Sequence, residues 1–294
     1  MINRGTPTIK WLQQVVAALA VGGLLAACAG GDANAGTPSK ASPSASPSPA
    51  QARHVFLIVM ENKSYESAMS GQFTASLAAT YGVASNYHAI AHPSVPNYLA
   101  LTSGSTWGVR DDGYYVLQNQ DLGTQLTNAG VSWKAYMEGL GDSGCLRSPV
   151  PYDLAHNPFA YYGGACPANV VPFTDLAGDL SGSTPQFSWI TPDRCHDTHD
   201  CRLAVGDQWL EQTVGLITSS EAWKSNGVLV ITWDEDDGSA SNRVLTLVVT
   251  PGRSHLESGN PYDHYSLLAT VEDLMGVGRL GQAAQAQTMT DLVG

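Results

Sequence analysis

The chain is short of cations. Its 294 residues include 14 Lys and Arg against 26 Asp and Glu, a formal charge of −12. A surface of that sign repels a polyphosphate backbone, so a nucleic-acid-binding role is excluded. Long apolar runs are scarce too. The one near the start, Val15 to Ala27, is broken by Gly22 and Gly23 and falls short of the roughly 20 residues that a membrane-crossing helix needs. No later segment is long and apolar enough to span a bilayer. Cysteine is sparse, with five residues, and their spacings lack the two close pairs that a four-cysteine zinc site uses. No internal repeat is visible.

What is present begins with an export signal. Arg4 and Lys10 precede the apolar run, which closes on Leu25-Ala26-Ala27-Cys28. Small residues before a cysteine read as a cleaved signal with a lipobox. This segment resembles bacterial lipoproteins, in which the cysteine becomes the lipidated first residue; an ordinary signal with an incidental Cys28 is the alternative. Residues 29–52 turn to Gly, Ala, Ser, Thr and Pro, with Pro38, Pro43, Pro47 and Pro49 and no aromatic. Such a stretch cannot bury enough apolar surface to fold and reads as a tether. The expected organisation is a signal over 1–28, a tether over 29–52 and one domain over 53–294, held outside the cytoplasm on a membrane by its lipid. In that oxidising compartment Cys145, Cys166, Cys195 and Cys201 form an even set. Three connectivities are open, and sequence proximity favours Cys145–Cys166 and Cys195–Cys201.

The domain alternates two patterns. Continuous apolar runs rich in β-branched residues, His54–Met60, Val228–Trp233 and Val244–Thr250, predict strands covered on both faces, with shorter ones at Val131–Tyr136 and Phe187–Ile190. Between them, helical periodicity spans Tyr65–Tyr81, Leu122–Ala129, Gln208–Trp223 and Tyr265–Met275. The expected class is α/β, a mostly parallel central sheet with helices on both faces. Ligands in such sheets collect beyond the carboxyl ends of the strands. Glu61-Asn62, Thr191-Pro192-Asp193 and Asp234-Glu235 each follow an apolar run, which puts them on one rim.

Carboxylates gathered on a rim repel one another unless a cation lies among them. Oxygen ligands suit magnesium, calcium or manganese. Ser94, between Pro93 and Pro96, precedes a helix expected to begin near Asn97. Its hydroxyl either caps that helix or is presented to an anion at the helix N-terminus, where a cation would activate it. Thr102 and Ser103 lie deeper in the same helix. Among the remaining histidines, His92 adjoins Ser94, whereas His88, His196 and His255 read as loop or core residues, His196 facing solvent beside Cys195.

Six segments carry a more specific signal: VFLIVMEN, HPSVPNYLALTSG, HNPF, TPDRCHDTHDC, ITWDEDDG and DHYSLL. Their order and spacing resemble the bacterial and fungal phosphoesterase family of phospholipases C and acid phosphatases, within the alkaline-phosphatase-like superfamily. The resemblance implies that Glu61, Asn62, Asp234 and Glu235 bind one or two divalent ions (Ca, Mg, Mn or Zn). Ser94 would touch the metal and accept the phosphoryl group. It places His156 and His199 at the phosphate, with Asp197 and His264 as further polar members. Where many members have Asn-His, this chain has Asn242-Arg243, and it lacks the long insertions and C-terminal extension of the larger ones. The first departure bears on whether a full second metal site exists; the compact form resembles the acid-phosphatase branch more than the phospholipase branch. The expectation is a lipid-anchored phosphomonoesterase acting on a small phosphate ester. A phospholipase C or other phosphodiesterase is the alternative within the family, and a tethered lipoprotein binding a phosphorylated ligand the alternative outside it. A sulfatase is disfavoured, since the Cys/Ser-x-Pro-x-Arg context is missing.

Overall fold

The computed structural model describes residues 53–239 and 241–294; the signal, Cys28 and the tether lie outside the described residues. The strands are β1 (Val55–Met60), β2 (Gly82–Ala84), β3 (Tyr87–His88), β4 (Trp133–Met137), β5 (Val170–Pro172), β6 (Phe187–Thr191), β7 (Val228–Trp233), β8 (Thr246–Val249), β9 (Leu256–Ser258) and β10 (Tyr262–Asp263). Eight of them form one sheet in the order β5-β4-β6-β1-β7-β8-β2-β9, and β10 pairs with β3 apart from it. From β5 to β7 every neighbour is parallel; β8 runs antiparallel to both β7 and β2. This is the expected mainly parallel α/β sheet. The Val244–Thr250 run is its turnabout rather than another parallel member.

The helices are α1 (Tyr65–Met69), α2 (Gln72–Thr80), α3 (Ser94–Ser103), α4 (Leu122–Asn128), α5 (Leu176–Ser181), α6 (Leu203–Ser219), α7 (Glu221–Asn226), α8 (His264–Met275) and α9 (Thr290–Val293). Every residue of β1 and β7 is buried, so the helices cover both faces of the sheet centre. Among the described residues no helix is long and apolar enough to cross a membrane.

Two expected helices are split, each by side-chain chemistry. Tyr65–Tyr81 breaks at Ser70-Gly71 because Asp207 of α6 accepts from the Phe73 and Thr74 N–H groups and so starts α2 afresh. A Cβ at Gly71 would stand 2.6 Å from an Asp207 oxygen, which is why glycine occupies the break. Gln208–Trp223 becomes α6 and α7 because the Ser220 hydroxyl accepts from the Trp223 N–H and caps a new start. The disulfides join Cys145 to Cys166 and Cys195 to Cys201, the pairing that proximity favoured.

Candidate active site

Register brings the two acidic strand ends together. β1 and β7 are adjacent and parallel, with Met60 opposite Trp233, so Glu61 and Asp234 leave the sheet side by side. Asn62 turns the chain there in a left-handed conformation, φ 48°, one that Asn tolerates better than most residues. Its N–H donates to Asp234 Oδ1 (3.1 Å), and its Nδ2 donates to Glu235 Oε1 (3.2 Å).

Ser94 completes the group. Helix α3 starts at Ser94 itself, three residues earlier than expected, with Pro93 at the cap position and no side-chain cap bond. The capping alternative for Ser94 is therefore incorrect. Its hydroxyl donates to Glu61 Oε2 at 3.0 Å and lies 3.3 Å from Glu235 Oε1. Asn97 explains the rigidity beneath it. Its amide oxygen accepts from the Ile90 and Ala91 N–H groups, while its Nδ2 donates to the Ala91 and Pro93 carbonyls. One turn after Ser94, Tyr98 donates to Glu61 Oε1 at 2.6 Å. The sequence reading missed Tyr98, although its spacing of four from Ser94 puts both on one helix face.

Burial makes the acids costly to ionise. It pushes the Glu61 carboxyl well above the usual range, reinforced by the charges of Asp234 and Asp197. Asp234 rises to about 7 through burial and then the Glu235 charge. Glu235 rises to about 7 through burial and then the Asp112 charge. Two buried oxygens, Asn62 Oδ1 and Asp234 Oδ2, have no hydrogen-bond partner. Three carboxylates, an orphaned amide oxygen and a hydroxyl are hard donors, so Glu61, Asn62, Ser94, Asp234 and Glu235 fit a divalent cation.

The histidines divide by position. His156, in a 3₁₀ turn, sits with Nε2 3.4 Å from Glu61 and Nδ1 3.1 Å from Asp197, and it stacks on Tyr98. Burial opposes its cation, but Asp197 and nearby acids outweigh that and raise its pKa. Asp197 also accepts from the His199 N–H at 2.7 Å. His199 bonds Asp200 through Nδ1 and is partly exposed, which leaves Nε2 available. The His156 and His199 rings are 5.8 Å apart. His264, expected among the reacting groups, has no ring nitrogen to spare. Nε2 donates to the Asp234 carbonyl (2.6 Å) and Nδ1 bonds the Tyr87 hydroxyl (2.9 Å). Burial lowers its pKa to about 4, so it is a neutral brace for Asp234. His92 is closer to the chemistry than its second rank implied, with Nδ1 2.5 Å from Glu235 Oε2.

Asp193 lies at the carboxyl end of β6, on the expected rim, but its carboxylate does not join the acids of β1 and β7. Its Oδ1 accepts from the Cys195 and His196 N–H groups, and Asp197 from the same loop faces Glu61 instead. His196 is not a bystander in solvent. Glu138, Asp193 and His196 bring one ligand atom each within 4.8 Å of one another. Glu138 accepts from the Asp193 N–H, His196 Nδ1 and Trp209 Nε1, so this cluster ties the 193–201 loop to β4 and α6. Gly206 permits the close approach of α6, since a Cβ there would meet Thr198 at 2.4 Å. Thr102 and Ser103 bond carbonyls of their own helix and take no part. Arg243 reaches Glu66 and Ser85 and covers the Tyr65 ring. A surface hollow of about 710 Å³ is lined by Gln72, Phe73, Asp207 and Glu211 and includes no member of the site.

This arrangement has relatives. The fold matches a murine ectonucleotide pyrophosphatase/phosphodiesterase 5 (TM-score 0.59, 8% identity, 82% of this chain and 98% of that one). It also matches an alkaline-phosphatase-superfamily protein from Vibrio parahaemolyticus (TM-score 0.58, 12% identity, 82% and 70%). At such identities the likeness is one of fold, and that fold is alkaline-phosphatase-like. Sequence goes further: residues 69–278 match the Phosphoesterase family, and the chain belongs to it. It is 32% identical over 251 residues to a phosphatidylinositol-3-phosphatase from Mycobacterium tuberculosis, covering 82% of this chain and 83% of the relative. A phosphate-repressible acid phosphatase from Penicillium chrysogenum is 28% identical over 244 residues, 76% of this chain but 59% of the relative. A non-hemolytic phospholipase C from Burkholderia pseudomallei is 26% identical over 200 residues, 56% of this chain and 29% of the relative. The chain is a phosphoric ester hydrolase.

Proposed function

We propose that the protein hydrolyses phosphate monoesters through a phosphoserine on Ser94, with a divalent cation held by Glu61, Asn62, Ser94, Asp234 and Glu235. The observation that carries this is the Ser94 hydroxyl, set at the start of α3 and hydrogen-bonded between carboxylates of two strand ends. Such a cation would neutralise the acids, draw down the hydroxyl pKa and stabilise charge on the phosphoryl oxygens.

The residues divide the labour. The Ser94 proton passes to the carboxylate that accepts its hydrogen bond, and Oγ attacks phosphorus in line. As the Oγ–P bond forms, the bond to the leaving oxygen breaks, and that oxygen takes a proton from His199 Nε2. Water then attacks the phosphoserine and gives its proton back to His199, while the Oγ–P bond breaks and Oγ recovers the proton held by the carboxylate, which frees Ser94 and inorganic phosphate. His156, held toward its charged form by Asp197, faces the phosphoryl oxygens. Asp197 orients both histidines, and His264 fixes the backbone of Asp234.

Ser94→Ala in the full chain should abolish turnover of p-nitrophenyl phosphate while vanadate still binds. Wild-type turnover in this variant would remove Ser94 from the mechanism. The phosphatase names of the first two relatives support the monoester reading. The phospholipase C relative and the phosphodiesterase-like fold keep diesters in view. Rates on p-nitrophenyl phosphate, phosphatidylinositol 3-phosphate, bis-p-nitrophenyl phosphate and phosphatidylcholine decide between them, and cleavage confined to the last two would overturn the monoester assignment.

The anchor is a separate proposal. Leu25-Ala26-Ala27-Cys28 and the Pro-rich stretch after it support a lipidated Cys28 that holds the enzyme on the outer side of a membrane. Cys28→Ala should shift the protein from the membrane fraction to the soluble one; unchanged fractionation would disprove the anchor.

A further inference from the structure

The first turn of α3 has few donors for an anion, because Pro96 carries no N–H. One of those donors is already taken. The Val95 N–H, next after the nucleophile, donates to Asp112 Oδ1 at 3.0 Å. This carboxylate comes from the exposed stretch 110–116, and among the described residues it has no Lys or Arg partner. A carboxylate with no cationic partner among the described residues therefore occupies the N–H next to Ser94.

The stretch is anchored at its two ends. Trp107 Nε1 donates to Ser103 Oγ at 2.8 Å, and Leu117 exchanges backbone bonds with Tyr161 and Gly163. Between the anchors, Asp111 accepts from the Gly113 N–H and the Tyr115 hydroxyl, and Tyr114 donates to the Ala160 carbonyl. Asp112 is thus the point where a strap, tied down on either side, touches the nucleophile's helix.

We propose that Asp112 is a resident anion at the position a substrate's phosphoryl oxygen takes beside Ser94, and that a phosphate ester binds by displacing it. The inference rests on Ser94 being the phosphoryl acceptor. Asp112 then sets specificity by competition: only a ligand whose phosphoryl group outbids a carboxylate for the Val95 N–H gains entry, and dianionic monoesters do so better than monoanionic diesters. It touches neither the leaving group nor the attacking oxygen, so its charge weighs on binding rather than on the chemical step.

The test uses the full chain with Asp112→Asn and Asp112→Ala, both at an exposed residue, with thermal melting to confirm the fold. Vanadate inhibition constants are measured with KM and kcat for p-nitrophenyl phosphate and bis-p-nitrophenyl phosphate, at fixed pH and ionic strength. Both variants should bind vanadate about tenfold more tightly, the effect of removing one charged hydrogen-bond competitor. KM should fall in parallel while kcat stays within about twofold. The preference for the monoester over the diester should narrow. Unchanged vanadate affinity would reduce Asp112 to a helix cap and overturn the proposal. Weaker binding would make it a substrate or cation ligand and overturn it equally. If wild type neither binds vanadate nor turns over the monoester, the assignment of Ser94 falls and this inference with it. If wild type does both and the variants match it, only this inference falls.

Discussion

Removing the cation should make the protein's stability fall with rising pH, and Asp234→Asn should flatten that dependence. Asp234 is fully buried, and its carboxyl is pushed from the usual carboxylate range to about 7. Its folded-state pKa lies above the unfolded one, so the metal-free folded protein keeps a proton that the unfolded chain has already released. The associated stability is fully present below about pH 4 and is lost as pH rises through about 7. A shift of about 3 units at about 1.4 kcal/mol each is about 4 kcal/mol. Glu235 rises through burial and then the Asp112 charge, so any slope it contributes is separate from this figure. For a domain of this size, about 4 kcal/mol corresponds to a melting temperature lower by about 8 to 16 °C. A divalent cation replaces the protons, and at a hundredfold excess over its Kd it should restore about 2.7 kcal/mol. Calorimetry on chelated full-length protein from pH 4.5 to 8.5, with and without Mg, Mn, Ca or Zn, measures both effects. The Asp234→Asn variant should give a flatter profile and lose most of the cation-induced shift. A chelated wild type whose melting temperature matches the variant's at every pH, and which no cation stabilises, would refute the reasoning.

Two further outcomes follow from side chains away from the reacting atoms. Tyr98→Phe removes the hydroxyl that bonds Glu61 Oε1 at 2.6 Å and leaves the packing in place. Activity and cation affinity should drop about 10- to 100-fold, as for other groups that orient a metal ligand, and full retention of both by titration and steady-state kinetics would show that Glu61 needs no such support. Glu272 is fully buried, and burial pushes its carboxyl up to about 8, although one oxygen accepts from the Leu280 N–H. Its folded pKa is raised, so wild-type stability is lost as pH climbs through about 8. Glu272→Gln should melt a few degrees above wild type at pH 9 and close to it at pH 5; parallel profiles would contradict a protonated Glu272.

Some of the site was readable without coordinates because the signals were local. Apolar β-branched runs mark strands, and in a parallel sheet whatever follows a strand lies on the carboxyl rim, so Glu61-Asn62 and Asp234-Glu235 were placed by grammar alone. The same rule put Asp193 on the rim but could not show that it stays out of the acid cluster. Its carboxylate finds the N–H groups two and three residues ahead, a turn bond that satisfies it within its own loop, and it is the Asp197 carbonyl that accepts from the Glu61 N–H. Ser94 was ambiguous for the opposite reason. A serine near a helix start is usually a cap, and only the neighbouring strand ends show that its hydroxyl points elsewhere.

The sequence by itself determined the class of the molecule: the alternating elements, the family segments and the two acidic strand ends. These are properties of short stretches, fixed by residue type and spacing. Only the tertiary structure decided which polar groups meet. The pairing of Met60 with Trp233 sets Glu61 against Asp234, a partnership across 173 residues of chain that no local pattern encodes. Tight packing around His264 took up both of its nitrogens and turned an expected reacting group into a brace. A contact from an exposed strap put Asp112 on the first turn of the Ser94 helix. Hydrogen bonding is short-ranged and directional, so the role of a polar side chain is settled by the few ångströms around it, and long-range packing sets those distances.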